Sequence, residues 1–452
     1  MNEHLTFMGG SMKPRRIVAF WSFCTLLAPA AALAAQPDMA ALIAQTSKES
    51  RACIACHQKE ADPVVVQQWE QSRHAQAGIA CFECHQVDKS RPDGFEHYGE
   101  RISVIVTPKQ CGECHPDETA QFEASHHAQA GEILGSLDNV LGDIVEGPPA
   151  AVSGCVQCHG STVKVLKNGK LDPATWPNEG IGRINPDGSK GSCSVCHSRH
   201  TFSVAIARQP ESCGYCHLGP DHPQEEIYAE SKHGVTYRTL KGQMNLDSRS
   251  WVLGKDYSAA PTCATCHMGA AKGVAETHDV GTRLSWTLRP EVSIHLPNWQ
   301  QKRDEMKKVC LNCHASDWVN NFYVQYDDVV DLYNSKFGEP AKAIMAKLQA
   351  AGKLGPSPFS QKIQWDYFEL WHHEGRRARM GASMMGPDYV QWHGFYEVAK
   401  DFYSRFLPEA EALLPGVTAD VINEPANRWL KQGLSKEERA KIQEFYQKRY
   451  GE

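Results

Sequence analysis

The sequence has no excess of basic residues and contains no long run of like charge. Its 452 residues include 47 Lys and Arg against 53 Asp and Glu, which gives a formal net charge of -6. Proteins that bind nucleic acid concentrate positive charge on one face, so this class of partner is excluded. Hydrophobic residues make up 41 % and charged residues 22 % of the chain, and this balance excludes wholesale disorder.

Long hydrophobic segments are also scarce, because only residues 17–30 form an apolar run. A positive patch at residues 13–16 precedes the run, and a small-x-small cleavage pattern at residues 32–34 follows it. This layout predicts a signal peptide over residues 1–35, cleaved near residue 34 or 35. The run is shorter than the roughly 18 to 20 residues that a membrane span needs. We therefore expect an exported, periplasmic protein with no transmembrane helix in its mature chain.

Cysteine is absent from the expected mature chain except in one motif. Cys24 lies in the leader, and every other cysteine belongs to one of eight Cys-x-x-Cys-His motifs. Two thiols of this motif add across the haem vinyl groups, and the adjacent histidine is aimed at the iron. Zinc ribbons and redox dithiols also use Cys-x-x-Cys, but neither requires the histidine. The sequence therefore predicts eight covalently bound c-type haems. The motifs are Cys53, Cys56 and His57; Cys81, Cys84 and His85; Cys111, Cys114 and His115; Cys155, Cys158 and His159; Cys193, Cys196 and His197; Cys213, Cys216 and His217; Cys263, Cys266 and His267; and Cys310, Cys313 and His314.

Histidines outside the motifs are candidates for the second axial ligand, which an electron-transfer haem usually takes from another histidine. A local repeat supports some of them, because Ser72-Arg73-His74-Ala75-Gln76 returns as Ser125-His126-His127-Ala128-Gln129. Seven distal ligands for eight haems would leave one iron open, although the twelve such histidines could also saturate every haem. A surface or core histidine is the alternative for each. The predicted distal ligands are His74, His97, His127, His200, His233, His278 and His295.

The last third of the chain has no haem motif and changes to helical periodicity near residue 320. Apolar residues at 329–337 and at 344–348, after Pro340, are spaced as in helices, and an aromatic helix spans 389–406. A capping box at Ser435 predicts a last helix that buries Ile442, Phe445 and Tyr446. We therefore expect a mainly α protein. A multihaem cytochrome c domain at 36–319, with sparse short helices around eight haems, precedes a C-terminal domain of long helices at 320–452. These helices either cover the haems or bring aromatic residues to an active site or a subunit interface.

The motif count and the helical C-terminal part resemble the hydroxylamine oxidoreductase family of octahaem cytochromes c. Two further stretches carry the resemblance, Gly-Pro-Asp-His-Pro at 219–223 and Met-Met-Gly-Pro-Asp-Tyr-Val-Gln-Trp-His-Gly at 384–394. In that family the fourth haem is catalytic and has no distal protein ligand. The resemblance therefore implies a catalytic haem at His159 with Asp221 and His222 over its open face. It also implies that Tyr389, from a neighbouring subunit of a homotrimer, is cross-linked to that haem, and that Tyr323 is a further distal tyrosine.

The implied function is oxidation of hydroxylamine to nitric oxide or nitrite, with electrons leaving through seven bis-histidine haems to a cytochrome acceptor. A carboxylate and an imidazole can take up the protons that this oxidation releases. A reductase that forms ammonium from nitrite or hydroxylamine is one alternative, and Tyr389 favours oxidation over it. A non-catalytic electron conduit is another, in which Asp221 and His222 form a turn or His222 ligates iron. In either alternative Tyr389 is a buried aromatic residue of a helix. No Cys-x-x-Cys-Lys motif occurs, which disfavours the pentahaem nitrite reductase type.

Overall fold

The computed structural model describes residues 38–135 and 137–451. The predicted signal peptide, with Cys24, lies outside these residues. Within them, no helix is both long enough and apolar enough to cross a lipid bilayer.

The first two thirds of the chain consist of short helices joined by long irregular segments, as expected if haems fill the space that side chains fill in other folds. Proline starts many of these helices, since its missing N–H costs nothing in the first turn. The α-helices are Met39–Gln45, Lys48–Lys59, Pro63–Glu70, Arg73–Gln76, Cys81–His85, Pro108–Gly112, Pro116–Ala124, Leu137–Asn139, Pro148–Ser153, Cys155–His159, Val204–Ala207, Pro210–Gly214, Gln224–Glu230, Lys232–Leu240, Cys263–His267 and Trp299–Cys310. Tighter 3₁₀ turns cover Ala130–Gly135, Cys193–Val195 and Lys241–Gln243, and a π-helical segment covers Val140–Glu146.

The described strands in the first two thirds of the chain form two antiparallel hairpins. Phe95–His97 pairs with Glu100–Ile102, with His97 opposite Glu100. Trp286–Thr287 pairs with Ile294–His295, with Trp286 opposite His295. Each hairpin therefore fixes one of the predicted ligand histidines in a defined register.

Three long helices dominate the C-terminal part, and each contains at least one π-helical segment. A core of buried aromatic and aliphatic residues holds them together, including Phe337, Leu348, Phe368, Phe402 and Phe406. The first helix is Ser316–Tyr333, Asn334–Gly338 and Glu339–Ala350; the second is Lys362–Phe368, Glu369–Glu374 and Gly375–Ser383; the third is Pro387–Val390, Gln391–Tyr396, Glu397–Asp401, Phe402–Phe406 and Leu407–Leu413. The middle segment of the first two helices, and the second and fourth segments of the third, are π-helical. Short helices Ala419–Asn423, Pro425–Asn427 and Trp429–Gln432 follow.

The helical stretches at 329–337 and at 344–348, on either side of Pro340, belong to one long helix that continues through this proline. Pro340 and Pro408 are each the second residue after a π-helical segment. A proline ring normally clashes with the carbonyl four residues earlier, and the wider π turn moves that carbonyl away. The two predicted helices around Pro340 are therefore one.

The last helix, Lys436–Tyr450, begins with the predicted capping box. Glu438 N donates to Ser435 Oγ at 3.1 Å, and Ser435 N donates to the Glu438 carboxylate at 2.7 Å. The predicted burial was wrong, because Ile442, Phe445 and Tyr446 are all exposed in the single chain. The mainly α fold class is confirmed.

Candidate haem array and active site

Each Cys-x-x-Cys-His motif forms one helical turn. The histidine N–H donates to the carbonyl of the first cysteine, for example from His115 to Cys111 at 2.9 Å and from His217 to Cys213 at 2.9 Å. Residues at i, i+3 and i+4 share one face of such a turn. Both thiols and the imidazole of a motif therefore point to the same side, as haem attachment requires.

Six of the eight motif histidines face a second histidine ring. A metal–imidazole bond is about 2.0 Å long, so two imidazoles on opposite sides of one iron have ring centres roughly 6 Å apart. The observed separations fit a haem iron between each pair, and each second histidine is one of the predicted distal ligands. The pairs are His57–His97 at 6.2 Å, His85–His200 at 6.4 Å, His115–His74 at 6.3 Å, His197–His278 at 6.4 Å, His217–His127 at 6.1 Å and His314–His233 at 6.0 Å.

Burial keeps many of these imidazoles neutral. It lowers the pKa of His127, His197 and His217 to about 4, with neighbouring histidines adding to the effect. A neutral imidazole is the form that binds a metal. The donor set therefore fits haem iron in its chemistry as well as in its spacing.

The seventh predicted distal ligand, His295, lies elsewhere. Its ring stacks on Trp286 at 3.5 Å and on Trp299 at 3.9 Å between ring centres, and no motif histidine ring accompanies it. His267 donates to the carbonyl of Val280, beside Gly281, where His126 Cδ2 lies. Sequence reasoning chose His127 from the His126–His127 pair, and His127 faces His217, whereas His126 lies near Gly281.

Motif cysteines of different haems are neighbours. The thiols of Cys111 and Cys193, of Cys158 and Cys216, and of Cys213 and Cys263 lie within hydrogen-bonding reach. In four further pairs, burial and the neighbouring thiol together raise the pKa of a cysteine: Cys81 beside Cys53, Cys84 beside Cys111, Cys196 beside Cys213 and Cys266 beside Cys310. The motifs therefore adjoin in the order first, second, third, fifth, sixth, seventh, eighth, and the fourth adjoins the sixth.

The fourth and seventh motifs differ from the six paired ones, because neither His159 nor His267 has a second histidine ring opposite it among the described residues. Burial and the charge of His222 lower the pKa of His159, and Asp138 and Asp221 act on it as well. The His222 ring lies near that of His217, but His217 is already paired with the ring of His127. His222 is therefore available to the fourth haem.

Asp221 and His222 form a hydrogen-bonded pair through Asp221 Oδ1 and His222 Nδ1. Although burial works against both charges, the partnership lowers the pKa of Asp221 to about 2 and raises the pKa of His222. Each partner therefore favours the charged form of the other. A carboxylate and a protonated imidazole held together can exchange a proton with a bound substrate.

Arg376 connects this pair to the C-terminal helices. Its Nη1 donates to Asp221 Oδ2 at 3.2 Å, and its Nε donates to the carbonyl of Arg289 at 2.9 Å. The helix after His222, Gln224–Glu230, packs beside Arg376, because Gln224 reaches Met380 of the same long helix and Ile227 packs against Gly386, just before the third long helix. Sequence reasoning did not connect Arg376 with Asp221, since their contact spans 155 positions of the chain.

Tyr389 lies half-buried at the start of the third long helix. Burial and the charges of Glu226 and Glu230 raise the pKa of its phenol, and the charge of Arg377 opposes them. Around it the chain exposes large side chains, with Met385, Trp392 and Tyr396 each at least half exposed. This surface of the single chain therefore presents Tyr389 with an uncovered aromatic patch.

Tyr323 lies apart from Asp221 and His222. It is buried under Arg303 and Lys307, whose charged groups are 4.7 and 5.3 Å from its ring centre. Burial raises the pKa of its phenol, and so does the neighbouring Cys310 thiol. The structure thus places Tyr323 at the eighth motif rather than the fourth.

Comparisons with known proteins agree with this geometry. The family described as "Seven times multi-haem cytochrome CxxCH" matches residues 183–358, and "Cytochrome c554 and c-prime" matches residues 27–86 and 110–198. The chain is similar to multihaem c-type cytochromes. The matches support c-type haem as the cofactor of this cytochrome.

A curated relative bears out the predicted resemblance to hydroxylamine oxidoreductases. The cytochrome is 26 % identical over 478 aligned residues, covering 80 % of its own chain and 51 % of the relative, to a "Probable nitrite reductase-hydroxylamine oxidoreductase fusion protein" of Kuenenia stuttgartiensis. The chain spans about half the length of the curated relatives it matches.

Two solved structures share the fold. A "Hypothetical multiheme protein" superposes with a TM-score of 0.74 at 24 % identity, over 85 % of this chain and 99 % of the other. A reducing HAO-like protein complex of Kuenenia stuttgartiensis superposes with a TM-score of 0.61 at 22 % identity, over 85 % of this chain and 89 % of the other. At these identities the likeness concerns the fold alone.

Proposed function

We propose that this cytochrome oxidises hydroxylamine to nitric oxide or nitrite at the haem of the fourth motif, Cys155, Cys158 and His159. The observation that carries the proposal is that His159 faces no second histidine ring among the described residues while the charges of Asp221 and His222 act on it. Six other motif histidines each face a second ring. His267 of the seventh motif also lacks a ring pair, but no acid–imidazole pair acts on it. The relative whose printed name includes hydroxylamine oxidoreductase agrees with it.

The chain's own residues account for proton handling. Conversion of NH₂OH to NO releases three protons and three electrons; continuing to nitrite consumes one water and releases one further electron. The haem, when bound, supplies an iron with a free coordination position and the first electron acceptor. The neutral form of His222 accepts a proton, and the carboxylate of Asp221 stabilises the imidazolium that results. Arg376 holds the second oxygen of that carboxylate.

Electrons then leave by the neighbouring motifs. The fourth motif adjoins the sixth through Cys158 and Cys216, and the sixth adjoins the fifth and the seventh through Cys213. We propose that eight haems are bound, seven of them six-coordinate, and that a cytochrome takes the electrons. We also propose a periplasmic location and a homotrimer in which Tyr389 is cross-linked to the catalytic haem of a neighbour.

Reduction to ammonium is the second candidate, and one observation favours it. Asp221 raises the pKa of His222, and this favours the protonated imidazole, which can donate a proton to a bound substrate. Reduction of NH₂OH to NH₄⁺ and water consumes two electrons and three protons, which such a donor would help to deliver.

Assays of the purified haem-loaded protein in both directions separate the two candidates. Hydroxylamine with an artificial one-electron acceptor should yield nitric oxide or nitrite, and Asp221→Asn should lower this turnover at least about tenfold, because acid–base groups contribute about 10² to 10⁴ in rate. Glu369→Gln is the matched control. It changes another carboxylate hydrogen-bonded to an imidazole, His373 at 2.8 Å, and should leave turnover unchanged. Ammonium formation from nitrite with a reduced dye, without hydroxylamine oxidation, would contradict the proposal.

A further inference from the structure

A second acid–imidazole pair lies next to Asp221–His222. His372 Nε2 is 2.6 Å from Asp138 Oδ1 and 3.0 Å from Arg376 Nη1. The same Arg376 Nη1 is 3.2 Å from Asp221 Oδ2. One guanidinium nitrogen therefore stands between the imidazole of one pair and the carboxylate of the other.

This arrangement is rigid and largely buried. His372 is 4 % exposed and stacks on Phe368 with ring centres 4.2 Å apart. Arg376 is 8 % exposed and lies over the Trp371 ring at 5.1 Å. The Asp138 carboxylate is less covered, with 41 % of its side chain exposed. The five charged or polar groups thus run from a partly exposed carboxylate to the pair beside the fourth haem motif.

Hydrogen-bond chemistry makes the groups depend on one another. A single ring nitrogen cannot donate to Asp138 and accept from Arg376 at once. The other nitrogen, His372 Nδ1, is buried without a partner among the described residues, so Nε2 is the atom through which His372 bonds to its neighbours. Nε2 either accepts from Arg376 or donates to Asp138, and the charge of Asp138 also acts on Arg376 directly. Asp138 and His372 therefore both act on Arg376, which in turn contacts Asp221 Oδ2.

We infer that Arg376 is the positioning residue of the Asp221–His222 pair, and that Asp138 and His372 in turn hold Arg376. The inference rests on the proposed function only in placing Asp221 and His222 at an open iron. Arg376 acts through Asp221, fixing Oδ2 so that Oδ1 stays on His222. This positioning role does not depend on which nitrogen compound is the substrate.

A double-mutant cycle tests this, with cyanide as the probe of the open iron. The ferric, haem-loaded protein is titrated optically with cyanide as Arg376→Gln, Asp221→Asn and the double variant. Loss of a hydrogen bond between charged groups should weaken cyanide binding by about tenfold in each single variant. If Arg376 acts through Asp221, the double variant should match Asp221→Asn within about twofold, since residues in one network are not additive. A double variant weakened by the product of the single effects, or an unchanged Arg376→Gln, would overturn the inference.

Neighbouring residues of the same helix provide the controls. Arg377 is also mostly buried and ion-paired, but to Glu397 at 2.6 Å, and Arg377→Gln should leave cyanide affinity unchanged. His372→Gln should weaken cyanide binding while His373→Gln does not. If Arg376→Gln does not assemble, the cycle is run with His372→Gln and Asp221→Asn, under the same criterion of non-additivity.

The outcomes separate this inference from the proposed function. Additive effects in a protein that still oxidises hydroxylamine would overturn the role of Arg376 alone. Non-additive effects in a protein without hydroxylamine oxidation would overturn the proposed function alone. Absence of cyanide binding in the unmodified protein would overturn both, because neither would then have an open iron.

Discussion

His222 and His127 illustrate how one side-chain type serves two chemistries in the same array. Both lie near His217, but their surroundings give their pKa values opposite directions. Burial lowers the pKa of His127 to about 4, whereas Asp221 raises the pKa of His222 against the effect of burial. A neutral imidazole suits iron, and an imidazole paired with a carboxylate suits proton transfer.

Electron paramagnetic resonance of the resting protein should distinguish these roles. His127→Ala removes the ring opposite His217 and should convert one low-spin haem to high spin. His222→Ala should leave the number of low-spin haems unchanged, because His222 is not required as an iron ligand. Loss of a low-spin signal in His222→Ala would contradict its proton-transfer role.

The same measurement decides which histidine serves the seventh motif. His126→Ala should also remove a low-spin signal, since His126 lies at Gly281 beside the carbonyl that His267 binds. His295→Ala should not, because His295 is stacked between two indoles. The reverse pattern would restore the assignment made from sequence.

At the scale of elements, π-helical segments bring the polar residues of the C-terminal helices inward. The segment Glu369–Glu374 carries His372 and Glu374, both 4 % exposed. Burial and a hydrogen bond shared with Asp401 raise the pKa of Glu374. Two buried carboxylates can share a site only if one of them stays protonated.

This pair predicts how stability depends on pH. The folded pKa of Glu374 lies above its unfolded value, so its contribution to stability is fully present below about pH 4.3. It is lost as the pH rises towards the raised folded value, because the unfolded state then binds fewer protons. Glu374→Gln should reduce the fall in melting temperature between pH 6 and 9, measured by calorimetry. Glu409→Gln, which alters a carboxylate of the third long helix paired with Lys362 at 3.3 Å, is the control and should preserve the slope. An equal slope in Glu374→Gln and the unmodified protein would refute the shared proton.

Local patterns predicted the elements whose determinants are local. The haem turns follow from three residues within five positions, and the capping box at Ser435 follows from two residues within four. The helix through Pro340 was not predicted, because a π turn depends on packing of Phe337 in a core built from distant helices. The contact between Arg376 and Asp221 was not predicted for the same reason, since nothing near Arg376 in the sequence indicates Asp221. The exposed Ile442, Phe445 and Tyr446 show that an apolar helix face does not by itself fix a partner within the chain.

At the scale of the whole molecule, haem content is the most direct test. The sixteen motif cysteines predict eight covalent haems, and intact mass spectrometry of the matured protein should show the processed chain plus eight haems. Each motif gives both thiols and its histidine a common face, so none should be empty. A smaller increment on fully matured protein would contradict the count.

Assembly can be tested at the exposed patch around Tyr389. If Tyr389 is bonded to a neighbour's haem, denaturing gels of the boiled and reduced protein should show a trimer. Tyr389→Phe should run as a monomer because it lacks the phenol oxygen, while Tyr396→Phe, a control in the same exposed patch, should keep the trimer band. A monomer band from active unmodified protein would rule out the cross-link.

The adjacency of the motif cysteines gives the haem array a branched path for electron transfer. The fourth motif adjoins the sixth, and from the sixth one arm runs through the fifth, third and second to the first, while a shorter arm runs through the seventh to the eighth. If a substrate is oxidised at the fourth haem, as proposed, it releases more electrons than a one-electron acceptor can collect in a single encounter. Because two arms meet at the sixth motif, the haems can hold several electrons at once and release them one at a time from either end of the array.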